Sequence, residues 1–231
     1  MRPPAAAAEA GGPPPEDPVA TTVVVPKHWL LRGTSPQSYD IGADLQQVHS
    51  GEVSVRIKAH DKNISPTLNG SVMQNIVAQS LLGRRLEVSA FLRAEDVRER
   101  TVALWFTALD PNHLLLASDS SRAQYPKITD QWIRVRFVID VPWSAAEVNY
   151  GVTLTGKGTV WVDDLRLTTV NPDVVAITGT ALPKQLGQPV SPASDREALS
   201  RPENLDFEET EEVAPALLRE KRPESLNEIR Y

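Results

Sequence analysis

The chain has 231 residues, no cysteine and a formal charge of -6, with an isoelectric point near 5.3. Without cysteine neither a disulfide framework nor a thiolate metal site can form, and an acidic balance without clustered Lys and Arg speaks against the basic footprint of a nucleic-acid binder. The length suits one sandwich domain plus tails, since a domain near 150 residues buries roughly 70% of its unfolded surface.

Residues 1–18 are Pro, Ala, Gly and Glu with almost no large apolar side chain, a composition that predicts an extended or disordered arm. Arg2 precedes Ala5 to Ala8, but Glu9, Gly11, Gly12 and Pro13 to Pro15 interrupt the run, so no signal-peptide core forms. No later stretch approaches the roughly 20 continuous apolar residues of a membrane helix. The expectation is a cytoplasmic protein, with peripheral association with a membrane left open.

From Val19 onward, short β-rich runs alternate with turn residues, the spacing of an all-β sandwich or barrel. Val53, Val55, Ile57 and Ala59 oppose Glu52, Ser54, Arg56 and Lys58, a half-buried strand of period two. Leu86, Val88, Ala90 and Leu92 repeat the pattern, as do Val135, Phe137, Ile139 and Val141. Segments 72–79, 101–109, 113–118 and 148–154 also read as strands. In the second of these, Val102, Leu104 and Phe106 share one face and Trp105 stands on the other.

Gly151 to Lys157 matches the first part of a phosphate-binding G-x-x-x-x-G-K, but Gly158 stands where Ser or Thr should hold magnesium. Thr159-Val160-Trp161-Val162 is strand-forming, whereas a phosphate loop needs a helix there. The segment therefore predicts a tight hairpin closing a sandwich. Asp163 and Asp164 are weak calcium candidates; neighbours on a strand point to opposite faces, so both reach one ion only across a bulge. The plainer expectation is one aspartate accepting backbone hydrogen bonds and the other solvated.

After Ile177, Pro183, Pro189, Pro192 and Pro202 with Ser, Gln and Gly predict a linker. Beyond it, four glutamates at 208, 209, 211 and 212 precede Ala214 to Leu218 and then Arg219, Lys221 and Arg222, the sign order a short helix prefers. The expected division is an arm over 1–18, a sandwich over 19–178, a linker returning along the sandwich over 179–208, and a charged tail with a short helix over 209–231.

His28, His49, His60 and His113 are scattered without metal-ligand spacing, and no nucleophile elbow is present. No cofactor and no catalytic residue is expected, although spacing alone leaves a paired-carboxylate hydrolase open. Five tryptophans remain. Trp132 and Trp161 sit inside strand patterns and suit the core. Trp29, Trp105 and Trp143 are candidates for a surface that binds sugar or protein, joined by Arg122 and Tyr125 and by Leu217 and Leu218 of the tail helix.

Several motifs carry a resemblance: Pro26-Lys27-His28-Trp29, Tyr39 to Asp44, His49-Ser50-Gly51, Gly83 to Ala90, Leu104-Trp105, Asp140-Val141-Pro142, Gly156 to Asp164, and Pro202 to Glu208. Over roughly residues 24–208 the chain resembles a bacterial family of carbohydrate-binding-module-like jelly rolls. The family occurs as isolated domains or as the terminal part of regulators, without an agreed activity. The resemblance implies a galactose-binding-like jelly-roll sandwich of two antiparallel sheets. The chain departs from the family pattern at Asp119-Ser120-Ser121-Arg122 and Pro126 to Asp130, which puts any ligand contact of that loop in doubt.

Three functions follow. The first is a non-catalytic scaffold or accessory subunit binding protein partners through its arms, because ordering a residue costs about 1–2 kcal/mol of backbone entropy that a partner surface can offset. The expected host is a bacterial membrane complex such as a photosynthetic reaction-centre and antenna assembly, named without support from any residue pattern. The alternative is a carbohydrate-binding module using surface tryptophans. A weaker third reading is a ligand-sensing domain of a transcriptional regulator, although the chain has no helix-turn-helix.

Overall fold

The computed structural model describes residues 23–174 and 198–213. Two five-stranded antiparallel sheets pack face to face as a jelly-roll β-sandwich. The first runs in the order β2 (Leu30–Arg32), β5 (Asn69–Val77), β10 (Glu147–Thr155), β7 (Val102–Leu109), β8 (Leu115–Ser120). The second runs β3 (Tyr39–Asp44), β4 (Ser54–Ala59), β11 (Thr159–Thr169), β6 (Arg85–Glu95), β9 (Ile133–Asp140). A separate pair joins β1 (Val23–Pro26) to β12 (Thr210–Val213). Only short 3-10 turns, at Pro36–Ser38 and Ala78–Leu81, are helical among the described residues.

The alternating runs place their apolar members between the sheets. Val72 and Ile76 of β5, Val148, Tyr150, Val152 and Leu154 of β10, and Val102, Leu104 and Phe106 of β7 meet Ile57, Leu86, Val88, Leu92, Phe137, Val160 and Val162 from the other side. At about 25 cal/mol per Å² of apolar area removed from water, this two-faced core is what holds the sheets together. The polar Gln74 is fully buried within it. Its amide is satisfied: it accepts from the Tyr150 hydroxyl at 2.5 Å and from Glu203 N, and donates to the Glu203 carbonyl at 2.5 Å. Burial also raises the Tyr150 hydroxyl pKa.

Gly156 and Gly158 do not close a hairpin. β10 pairs with β5 and β7, whereas β11 pairs with β4 and β6, so the turn carries the chain from one sheet to the other. Both glycines adopt positive φ, +74° and +111°, which lets the backbone cross without Cβ strain. The Tyr39 hydroxyl fixes the crossing by sharing its single proton between the carbonyls of Leu68 and Gly156, at 2.8 and 2.9 Å. Lys157 pairs with Asp96 at 2.6 Å. β11 is thus the central strand of its sheet and not a closing strand.

The segment from Leu199 lies against the sandwich. Leu199 exchanges backbone hydrogen bonds with Asn75 and Val77, Leu165 N donates to the Leu205 carbonyl, and Phe207 is wholly buried against Trp29, ring centres 4.7 Å apart. Residues 210–213 are strand, because Thr210 to Val213 pair with Pro26 to Val23. The helix expected around Leu217 and Leu218, and the arm over 1–18, lie outside the described residues.

Candidate functional site

The outward face of the β2-β5-β10-β7-β8 sheet is built by the residues that alternate with the core. Cross-strand pairing arranges them in rows. Asn75, Asn149, Thr107 and Ser118 form one; Leu30, Met73, Gly151, Trp105 and Ser120 form the next; Arg32, Ser71, Thr153 and Ala103 form a third. Each row crosses neighbouring strands about 4.8 Å apart. Trp105 is half-buried, with Gly151 as its neighbour on β10. Its indole N–H donates to Thr153 Oγ1 at 2.9 Å, and that hydroxyl bonds Ser71 Oγ at 2.6 Å.

Asn75 and Asn149 face each other across β5 and β10 and are only 8% and 6% exposed. Asn149 Nδ2 donates to Glu147 Oε1 at 2.7 Å, which orients the amide. Its carbonyl oxygen, and that of Asn75, are buried without a hydrogen-bond donor among the described residues. Buried carbonyl oxygens in folded proteins find donors as a rule, from protein, water or ligand. Beyond this row, Glu147 approaches His113 Nδ1 at 3.7 Å, and the face turns apolar at Val77, Leu109 and Leu115.

A second cluster covers the opposite sheet. The loop over 45–53 is held by carboxylates from three elements. Asp44 Oδ1 accepts from the amides of Gln46 and Gln47, Asp163 Oδ2 from those of His49 and Ser50, and Glu208 from those of Glu52 and Val53. Asp44 Oδ2 also takes the Trp161 indole N–H at 3.0 Å and the Arg56 guanidinium at 3.3 Å. Burial pushes the Asp44 carboxyl up, but these four partners together outweigh it and hold its pKa below the usual carboxylate range.

Asp163 and Asp164 reach this loop together. The register slips between Asp163 and Arg166, and Asp164 takes φ +48°, so the bulge turns both carboxylates to one side. Asp164 is not solvated: it accepts from the Ser50 hydroxyl at 2.7 Å and meets His49 Nδ1 at 3.1 Å and Arg166 at 3.3 Å. Burial raises the Asp163 pKa; for Asp164 burial acts the same way, but Ser50, His49 and Arg166 prevail and lower it. The His49 ring stacks on Phe91 at 3.5 Å. The Ser50 hydroxyl bonds the aspartate and not the imidazole, so the three side chains are a loop anchor and not a nucleophile relay. Among the described residues no three metal-ligating side chains converge.

The remaining candidates separate. Trp29 is 4% exposed and packs against Tyr150 and Phe207, with its indole N–H on the Asn204 carbonyl, so it belongs to the core and not to a binding surface. The strap from Leu199 supplies both its cover and its acceptor, which the local sequence around Trp29 does not reveal. Trp161 is buried, but on the outer side of its sheet, beneath Arg93 whose guanidinium lies 5.4 Å from the ring centre. Trp132 is half-buried with its ring edge-on to His49. Trp143 is 79% exposed and lies against Gly83, in the connection between β9 and β10. Arg122 and Tyr125 are half-buried in the turn after β8, Tyr125 against the core. Leu217 and Leu218 are outside the described residues. Sequence reasoning passed over Asn75, Asn149, Thr107 and Thr153, although their polar side chains at alternate positions of apolar strands were the available signal.

No family model matches the chain. An uncharacterized HTH-type transcriptional regulator of Bacillus subtilis (strain 168) is 30% identical over 186 residues, 79% of this chain. The chain spans 57% of that relative's length. Among solved structures, the enzymatically active domain of a bacteriophage CBA120 tailspike protein has a TM-score of 0.48 at 12% identity, covering 62% of this chain and 20% of that one. A Clostridium thermocellum endo-1,4-beta-D-xylanase with its carbohydrate-binding module, in complex with xylohexaose, has a TM-score of 0.46 at 14% identity, covering 65% and 28%. A carbohydrate-binding module in complex with beta-1,4-galactotriose has a TM-score of 0.42 at 13% identity, covering 63% and 91%. The ligands named belong to those proteins. No helix among the described residues is long and apolar enough to cross a membrane.

Proposed function

We propose that this chain is a non-catalytic carbohydrate-binding module whose ligand lies on the outward face of the β2-β5-β10-β7-β8 sheet. The observation that carries the reading is the half-buried Trp105 on the same sheet face as Asn75 and Asn149, whose buried amide oxygens lack a donor among the described residues. An indole offers an apolar face to the C–H side of a sugar ring, and carbonyl oxygens accept from its hydroxyls. Titrating soluble glycans while following tryptophan fluorescence tests this. Saturable quenching that Trp105→Ala abolishes and Trp143→Ala preserves is the expected result; quenching insensitive to Trp105→Ala refutes the site.

A second reading is favoured by the Bacillus relative: the same face serves as the effector site of a transcriptional regulator. The two readings share a ligand and differ in output, so a glycan-dependent change in promoter occupancy by this protein separates them. The scaffold reading rests on the arms, which apart from 209–213 lie outside the described residues, and none of the proteins named above is described as a scaffold or a membrane-complex subunit.

A further inference from the structure

We infer that the ligand of this face is a short, uncharged saccharide of about disaccharide size, and not a polymer or an acidic sugar. The inference rests on the carbohydrate reading above. Three features of the face carry it: charge, aromatic content and extent.

The two rows around Trp105 and Asn149 contain Asn, Thr, Ser, Met, Gly, Leu and Trp, with no ionisable side chain. Among the described residues charges stand only at the ends of this face, Glu147 with His113 at one and Arg32 at the other. A carboxylate or phosphate in the middle would lose its hydration and meet carbonyl oxygens without a cation opposite, which is unfavourable by the cost of burying an unpaired charge. Hydroxyl groups, which both donate and accept, match amide and hydroxyl side chains. The undonated oxygens of Asn75 and Asn149 ask for donors in particular.

Trp105 is the sole aromatic side chain on this face among the described residues, since Phe106 of the same strand and Tyr150 of the adjoining one turn inward. A long chain held flat across a sheet draws on several stacking surfaces, whereas one indole positions one ring. The polar area is also bounded. From Asn149 to Thr153 is four residue steps, about 13 Å along the strand, and four strands span about 14 Å across it. At one end Val77, Leu109 and Leu115 flank Glu147, so that row offers a single polar side chain, whose carboxylate already accepts from Asn149 and faces His113. A saccharide extending past Asn149 would set its hydroxyls against three apolar side chains and one carboxylate that already has partners, and would lose most of their hydrogen bonds to water.

Isothermal titration of the full chain with cellobiose, maltose and lactose, set beside glucuronic acid and soluble xylan, tests the proposal. The expected result is saturable binding of at least one neutral disaccharide, weakened about tenfold or more by Trp105→Ala and by Asn149→Leu, with glucuronic acid at least tenfold weaker. Xylan should bind no tighter per chain than the disaccharide. Thr107→Val, a change of one hydroxyl to methyl at the same row, gives a second readout in a variant whose unfolding midpoint can be matched to the parent. Tighter binding of xylan than of any disaccharide, or equal binding of glucuronic acid, overturns the inference and leaves the carbohydrate reading intact. Binding of no saccharide, or binding indifferent to Trp105→Ala, Asn149→Leu and Thr107→Val, overturns both.

Discussion

Asp44→Asn isolates the role of one carboxylate under the 45–53 loop. In the parent, Oδ1 accepts the Gln46 and Gln47 amides, and Oδ2 accepts the Trp161 indole N–H and the Arg56 guanidinium. An asparagine can keep the first pair with its oxygen, but its NH2 then faces two donors. The buried indole N–H loses its acceptor, at a cost of about 1–3 kcal/mol. Arg56 retains Asp40 at 2.6 Å, so its loss adds no more than about 1 kcal/mol. The sum is about 1–4 kcal/mol, a large part of a domain stability of roughly 5–15 kcal/mol. Urea unfolding followed by tryptophan fluorescence should show a midpoint lowered by about 0.5–2 M at unchanged m, for an m of about 2 kcal/mol per M. The pH dependence has a definite sign. Asp44 has a folded-state pKa below its unfolded value of 3.8, so its contribution is present above that value and is lost as pH falls through the folded pKa. The gap between parent and variant must therefore be full at pH 7 and shrink below about pH 4. A gap under about 0.5 kcal/mol at pH 7, or one that persists unchanged in strong acid, refutes the assignment.

Phe207→Ala empties a wholly buried site against Trp29 and should cost about 3–5 kcal/mol; calorimetric unfolding measures it, and a loss below about 1 kcal/mol would mean that the strap is not part of the cooperative fold. Gly51→Ala places a Cβ onto the Glu208 carboxylate in a residue with φ +66°. It should destabilise by at least about 1–2 kcal/mol from backbone strain alone and raise amide exchange at Glu52 and Val53, which hydrogen exchange reads directly; unchanged protection there counts against the carboxylate anchor.

Much of the sandwich is legible in the sequence because side-chain direction alternates strictly along a strand. Val135, Phe137 and Ile139, or Leu86, Val88 and Leu92, announce both the element and the face it buries, and both sets are in the core. The same alternation set Trp105 apart from Val102, Leu104 and Phe106, and Trp105 does stand on the outward face. Where the alternation breaks, the sequence misleads: the bulge after Asp163 turns two adjacent aspartates to one loop, and one extra residue out of register is invisible in a linear pattern.

The proposed binding face could not be read this way, since it is a product of register. Asn75, Trp105 and Asn149 come from three strands far apart in the chain, and only the pairing of Asn149 with Asn75 and Thr107, and of Gly151 with Trp105, makes them neighbours. The sequence by itself determined the strands, their apolar faces and the absence of thiol chemistry, all of which depend on residues within a few positions of one another. Tertiary structure alone decided that Gly156 and Gly158 lead across the sandwich, that a strap more than 170 residues downstream covers Trp29, and that amides and hydroxyls share one surface. Those outcomes rest on which strand edges meet, and that choice is made by the closing of a common core rather than by any local preference.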